Sequence, residues 1–267
     1  MKEYRLGVIG FGHMSTAIIK GALNAGVIKA DEILIYDPSA PRIQEAQTMG
    51  LQAAETTAET AAACRYVLLA VRPQNMQEVM DTLAGIPIHA VLSIVTGWSI
   101  AAMKQYLNTS SLMRIMPNTP MQVSKGAAFM AAMPGTSPET EEFAHALLSP
   151  LGILQNVEEE LINKSVTVHG STPAYFYYLV NVLIKDAVRQ GFDEDTARDF
   201  ITETMIGSGE LLKAARTKPV QKFIDEVCSP GGTTIEAIGI LQYRGLDAIV
   251  EEANGRCIAR ALELGKH

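Results

Sequence analysis

The rhythm of apolar and polar positions changes once along this chain. Up to about Leu161, short continuous apolar runs alternate with segments whose apolar residues recur three or four apart. The runs Leu6 to Ile9, Glu32 to Tyr36, Tyr66 to Val71, His89 to Val95, Leu112 to Met116, Gly126 to Met130 and Gly152 to Val157 read as strands. Helical patterns lie between them, among them Met14 to Ala25, Asn75 to Leu83, Ile100 to Tyr106 and Ser137 to Leu148. Continuous apolar strands alternating with helices predict a doubly wound, mostly parallel α/β sheet covered on both faces.

Beyond Leu161 the strand pattern stops and helices take over: Ala174 to Gln190, Asp193 to Ala215, Pro219 to Val227, Ile235 to Gln242 and Leu246 to Leu264. The chain therefore reads as two domains, 1–160 and 161–267. Thr172 and Pro173 suit the cap and first turn of the first helix. That helix is apolar almost all round, with Tyr175, Phe176, Tyr177, Leu179, Val180, Val182, Leu183 and Ile184, so it is expected to be buried on most faces. A small bundle offers too few partners for such a helix. Exchange of helices between two subunits, or a compact monomeric bundle, would bury it.

Composition narrows the chemistry. With 267 residues, 48% hydrophobic and 19% charged, the chain has ample material for buried cores. The formal net charge is −7 and no basic tract stands out, which argues against nucleic acid as a partner. No apolar run is long enough to span a membrane. The first five residues lead only into a short apolar run ending at Gly10, so no signal peptide is expected. Three scattered cysteines and five histidines without ligand spacing suggest neither disulfides nor a metal, and a cytoplasmic setting.

The candidate chemistry lies at the carboxyl ends of the strands, where such sheets bind ligands. Gly10-Phe11-Gly12-His13-Met14 follows the first strand and opens the first helix, the context a dinucleotide fingerprint requires. Gly10 permits the tight turn, Gly12 a close approach to a pyrophosphate, and Ser15 replaces the third glycine with a small residue. The first domain is thus read as Rossmann-type. Asp37 stands 22 residues beyond Ser15, where an acidic side chain meets an adenosine ribose hydroxyl; its charge favours NAD, while Ser39 and Arg42 suit a 2′-phosphate. Asp37-Pro38 also reads as a plain turn starter. Ala70-Val71-Arg72-Pro73 and Thr96-Gly97 end later strands and face a cofactor or form ordinary βα turns. Asn118, in Pro117-Asn118-Thr119-Pro120, offers an amide for nicotinamide or substrate, or simply an Asx turn.

Near the other end stands Cys228-Ser229-Pro230-Gly231-Gly232-Thr233-Thr234, directly before a helix. Unpaired amides and the positive end of a helix dipole attract an anion. The string reads as a pocket for a small carboxylate or as a loop with a Ser/Thr cap.

Taken together, these motifs resemble the pyrroline-5-carboxylate reductase family over essentially the whole chain. The resemblance rests on Gly10 to Met14, Ala70 to Pro73, Arg114 to Pro120, Gly170 to Tyr175 and Ser229 to Thr234, the last being the most specific. It implies a Rossmann-type dinucleotide-binding domain followed by an all-α dimerisation domain, in a homodimer whose helical domains interleave; some members build larger rings. It implies reduction of 1-pyrroline-5-carboxylate to L-proline with NADPH or NADH. By motif, Ser229, Gly231, Gly232 and Thr233 would bind the substrate carboxylate, through the Ser229 side chain and the amides of Gly232 and Thr233. Thr234 would hydrogen-bond the ring nitrogen. The nicotinamide would lie against Ala70 to Pro73, Thr96-Gly97 and Asn118. Two positions depart from the family pattern: Arg72 replaces the usual lysine, and Thr172 the usual glycine or serine.

Two other readings remain. A β-hydroxyacid dehydrogenase shares the domain order but needs a lysine base on a long second-domain helix, where only Lys185 is available on the first. A regulatory paralogue would keep the fold without the chemistry.

Overall fold

The computed structural model describes residues 4–265. The expectation about a leader falls partly outside them. The chain divides into two compact units, one made of the residues up to Pro173 with the segment from Cys257 onward, the other of Ala174–Arg256.

In the first unit, β1 (Tyr4–Ile9), α1 (His13–Asn24), β2 (Ile33–Tyr36), α2 (Ala40–Thr48), β3 (Gln52–Ala53), α3 (Thr57–Ala63) and β4 (Cys64–Leu69) follow in order. Then come α4 (Met76–Leu83), β5 (Ala90–Ser93), α5 (Ile100–Lys104), β6 (Leu112–Pro117), β7 (Gly126–Ala132), α6 (Pro138–Leu148), β8 (Gly152–Asn156) and α7 (Glu159–Lys164). The eight strands form one sheet in the order β3-β2-β1-β4-β5-β6-β7-β8. Strands β1 to β6 run parallel, β7 is antiparallel to β6, and β8 is parallel to β7. The order reverses between β1 and β4, so the crevice beyond their carboxyl ends is the natural ligand site.

Alternation along the strands sorts side chains to two cores. Leu6, Val8, Ile33, Ile35, Tyr66 and Leu68 face α1 and α6, packing against Ile18, Ile19, Phe143 and Leu147. Ile9, Val67, Leu69 and Val91 point the opposite way, against Met76, Met80, Leu83 and Trp98. Both faces are covered, which is why these strands read as unbroken apolar runs.

Four elements escape the hydrophobic pattern: α2, β3, α3 and α7. Strand β3 has two residues, and α3 (TAETAAA) carries almost no large apolar side chains. Its start was legible in its cap, since Thr56 accepts the Glu59 amide at 3.0 Å while Glu59 accepts the Glu55 amide at 2.8 Å.

The second unit is helical: most of α8 (Thr172–Arg189), then α9 (Glu194–Ala214), α10 (Val220–Val227), α11 (Thr233–Tyr243), and α12 (Leu246–Glu263) as far as Arg256. Asp193 caps α9, accepting the Thr196 amide at 3.0 Å. Thr172 begins α8 rather than capping it, and its hydroxyl donates to the Thr167 carbonyl at 2.9 Å. The expected burial of α8 does not occur within this chain. Phe176, Tyr177, Tyr178, Leu179, Val182 and Leu183 are all exposed, Tyr178 by 72%. Between Ala174 and Arg256 only Ala197 is buried. Helices that form without a shared core depend on contacts from outside the chain. No helix among the described residues is long and apolar enough to cross a membrane.

Candidate active site

The candidate region of the first unit is built where β1 ends. Gly10 has φ +94°, and a β-carbon on it would stand 2.8 Å from the Ala70 carbonyl group. Only glycine lets the β1 turn touch the backbone after β4 this closely. Gly10 N–H donates to Tyr36 at 2.8 Å, and Ala70 N–H donates to Ile9 at 2.9 Å, so three strand ends are tied together. Ser15 is buried, and its hydroxyl donates to the Gly10 carbonyl at 2.8 Å. Its small size is therefore only part of its role, since its hydroxyl closes the loop.

Gly12 caps α1, with open space where a β-carbon would be, and the first turn of α1 holds no acidic residue. The amides of His13, Met14 and Ser15 have no acceptor within the helix. This end of the sheet therefore fits a dinucleotide pyrophosphate, and His13 is exposed beside it while Met14 is half-buried. Phe11 does something different. Its ring is fully buried and its amide donates to Asp37 Oδ2 at 2.7 Å, so it anchors the loop from behind. The other Asp37 oxygen accepts the Ser39 amide at 2.9 Å, an Asx turn at the dipeptide that also read as a plain turn starter.

The remaining cofactor candidates separate. Ala70 and Val71 are half-buried beside Gly10, while Arg72 is exposed at the start of a short 3₁₀ turn, Pro73–Asn75. Thr96 is half-buried, but Gly97 is buried for another reason: a β-carbon there would stand 2.8 Å from the Leu264 carbonyl oxygen. The end of the chain packs on that loop, and glycine at 97 makes room for it. Asn118 is buried with both ends of its amide engaged. Its Oδ1 accepts the Ala127 amide at 2.9 Å, and its Nδ2 donates to the His169 carbonyl at 3.2 Å. His169 Nε2 in turn donates to Met116 at 2.6 Å. Asn118 thus holds the turn after β6, the structural alternative allowed by its sequence.

A second candidate region lies within the other unit, between α10 and α11. Gly232 N–H donates to the Ser229 carbonyl at 2.9 Å, closing a turn with Pro230 second and Gly231 third at φ +70°, the residue pattern of a type II turn. A β-carbon on Gly232 would stand 2.5 Å from Ser229 Oγ, so the serine side chain occupies the space that glycine leaves. Helix α11 begins at Thr233, two residues earlier than its apolar pattern suggests, with Gly232 as its cap. This corrects one expectation: the Gly232 amide is already committed, and the amides without helical acceptors start at Thr233 and Thr234. Thr234 is half-buried and lines an apolar groove of about 390 Å³ with Leu211, Phe223, Val227 and Ile238.

Comparison with known proteins matches the stretches that carry each region. Residues 159–264 match the family model for pyrroline-5-carboxylate reductase dimerisation, and residues 5–97 match that for NADP oxidoreductase, coenzyme F420-dependent. The pyrroline-5-carboxylate reductase of Haemophilus influenzae is 30% identical over 99% of this chain and 98% of its own. This chain belongs to the pyrroline-5-carboxylate reductase family. The Synechocystis family member is 32% identical over 98% of both chains. Among solved structures, the reductase of Streptococcus pyogenes superposes with TM-score 0.86 at 28% identity, covering 97% of this chain and 98% of its own. A pyrroline carboxylate reductase of Plasmodium falciparum, solved with NADP bound, superposes with TM-score 0.90 over 100% of both chains; at 24% identity it shows the shared fold.

Proposed function

We propose that this chain is an NAD(P)H-dependent oxidoreductase that reduces the imine of 1-pyrroline-5-carboxylate to L-proline, the last step of proline synthesis. The observation that carries this reading is the full-length match to relatives of that name, which spans the glycine turn after β1 and the Ser229–Thr234 loop together.

A reduced nicotinamide held at the β1–α1 turn would supply the hydride. The protein's residues have three tasks. Gly12 and the α1 amides hold the pyrophosphate, with Ala70 to Pro73 and Thr96 flanking the cofactor. Ser229 Oγ and the amides at the start of α11 hold the substrate carboxylate by charge-assisted hydrogen bonds, worth about 1.5–3 kcal/mol each. The Thr234 hydroxyl meets the ring nitrogen and keeps the imine carbon in line. The imine accepts hydride at carbon once its nitrogen carries a proton, so no nucleophile or paired carboxylates are needed.

The subunit reading follows from the exposed helical unit. A homodimer buries the apolar faces of α8, α9 and α11 against a second copy, and the cytoplasm is its setting. Residues 1–160 serve as the dinucleotide domain and 161–267 as the helical one. Purified protein given 1-pyrroline-5-carboxylate with NADH, and separately with NADPH, is expected to oxidise reduced cofactor, followed by absorbance. No oxidation with either sinks the reductase reading. A monomeric mass by light scattering sinks the dimer.

A further inference from the structure

We propose that Asp37 and Glu45 make this chain select NADH over NADPH, an inference that rests on reading the first unit as a dinucleotide domain. NADPH differs from NADH only by a phosphate on the adenosine 2′-oxygen. The end of β2 and the start of α2 meet that position in this fold.

Asp37 is held there as a fixed negative charge. One oxygen accepts the Phe11 amide at 2.7 Å and the other the Ser39 amide at 2.9 Å, so the carboxylate has no freedom to swing aside. Each oxygen keeps lone pairs for a ribose hydroxyl. A phosphate dianion brought to the same place meets like charge.

Several of the donors that could receive a 2′-phosphate are engaged elsewhere, although the Ser39 hydroxyl caps nothing. The Ser39 amide is bound to Asp37. Pro41, in the first turn of α2, has no N–H, and the Arg42 and Ile43 amides both donate to the Ser39 carbonyl at 2.9 and 3.1 Å. The helix start therefore presents few donors. Arg42 Nη1 is paired with Glu45 at 2.8 Å, and Lys20 Nζ lies 3.6 Å from the same carboxylate. The Arg42 hydrogen bond holds the Glu45 carboxyl below its ordinary range, so it stays charged at neutral pH. Lys20, Arg42, Glu45 and His13 line one groove of about 400 Å³ beside the start of α1. One glutamate thus neighbours both cations, and the formal charges of Lys20, Arg42, Glu45 and Asp37 sum to zero.

The test is titration of each nucleotide, NADH and NADPH, into the full chain without substrate, following nucleotide fluorescence. NADH is expected to bind at least about ten-fold more tightly, a difference the size of one charge-assisted hydrogen bond. Asp37→Asn keeps the side-chain shape and removes the charge; it is expected to weaken NADH and narrow the ratio. Glu45→Gln releases Arg42 and Lys20; it is expected to tighten NADPH several-fold and leave NADH within about two-fold. Equal or tighter NADPH binding by the unaltered chain overturns the proposal. A ratio untouched by either substitution removes that residue from it. Tight NADH binding without turnover of the imine counts against the reductase reading alone, whereas binding of neither nucleotide removes the dinucleotide site beneath both.

Discussion

Ser229 Oγ stands 2.5 Å from where a β-carbon of Gly232 would be, and the Ser229 carbonyl accepts the Gly232 amide at 2.9 Å. Loop and helix start are one unit. Gly232→Ala must push the serine hydroxyl and its carbonyl away from the head of α11. It is expected to raise KM for the pyrroline substrate about ten-fold or more, the loss of one good hydrogen bond to the carboxylate. NADH affinity, measured by fluorescence, should not change. A wild-type KM would take Ser229 out of carboxylate binding.

Thr234 sits half-buried in the first turn of α11 with one wall on an apolar groove. A single hydroxyl in such surroundings is useful only to something polar. Thr234→Ala is expected to lower kcat about ten-fold, the worth of one hydrogen bond made to the reacting nitrogen. Thr234→Ser should recover most of that rate with nucleotide affinity constant throughout. Equal rates for Ala and wild type would make Thr234 a structural residue.

Arg114 lies on β6 with its side chain only 3% exposed, paired with Glu159 at 2.9 Å and Asn163 at 3.0 Å. The same Glu159 oxygen accepts the Ile100 amide at 2.7 Å. Glu159→Gln leaves a buried guanidinium without its counter-charge. The expected loss is about 3 kcal/mol in urea unfolding, the low end of the range for an orphaned buried charge, because Glu159 itself keeps some exposure to water. A loss below about 1 kcal/mol would show that the pair contributes as weakly as a surface bridge.

Burial pushes the Cys64 thiol up to about 12 from its ordinary 9.0. The folded state holds that proton more tightly than the unfolded state. Its contribution to stability is therefore full below pH 9 and declines as pH rises from there towards 12. Mass spectrometry after thiol labelling at pH 8 should find Cys64 unmodified in the native protein and modified in urea. Labelling of native Cys64 at the rate of an exposed thiol would contradict its placement in the core.

Sequence patterning made the central strands β1, β2, β4, β5 and β6 legible because they are buried on both faces, and continuous apolar runs follow from that. Gly10 and Gly231 were legible because the turns they make need a positive φ that few other residues adopt, whereas Gly12 and Gly232 have extended backbone and matter for the space a side chain would fill. The switch to helices after Leu161 was equally plain. All of these are local properties, written in neighbouring residues.

Which donor meets which acceptor was decided only by the tertiary structure. Phe11 and Asp37, Gly97 and Leu264, and Asn118 and His169 lie 26 or more positions apart, and no spacing rule joins them. Pairing β1 beside β2 brings an aspartate to the Phe11 amide. Laying the chain end on the loop after β5 explains Gly97 without a cofactor. The burial predicted for α8 needs atoms that the single chain lacks, because a side chain is covered only by whatever finally packs against it.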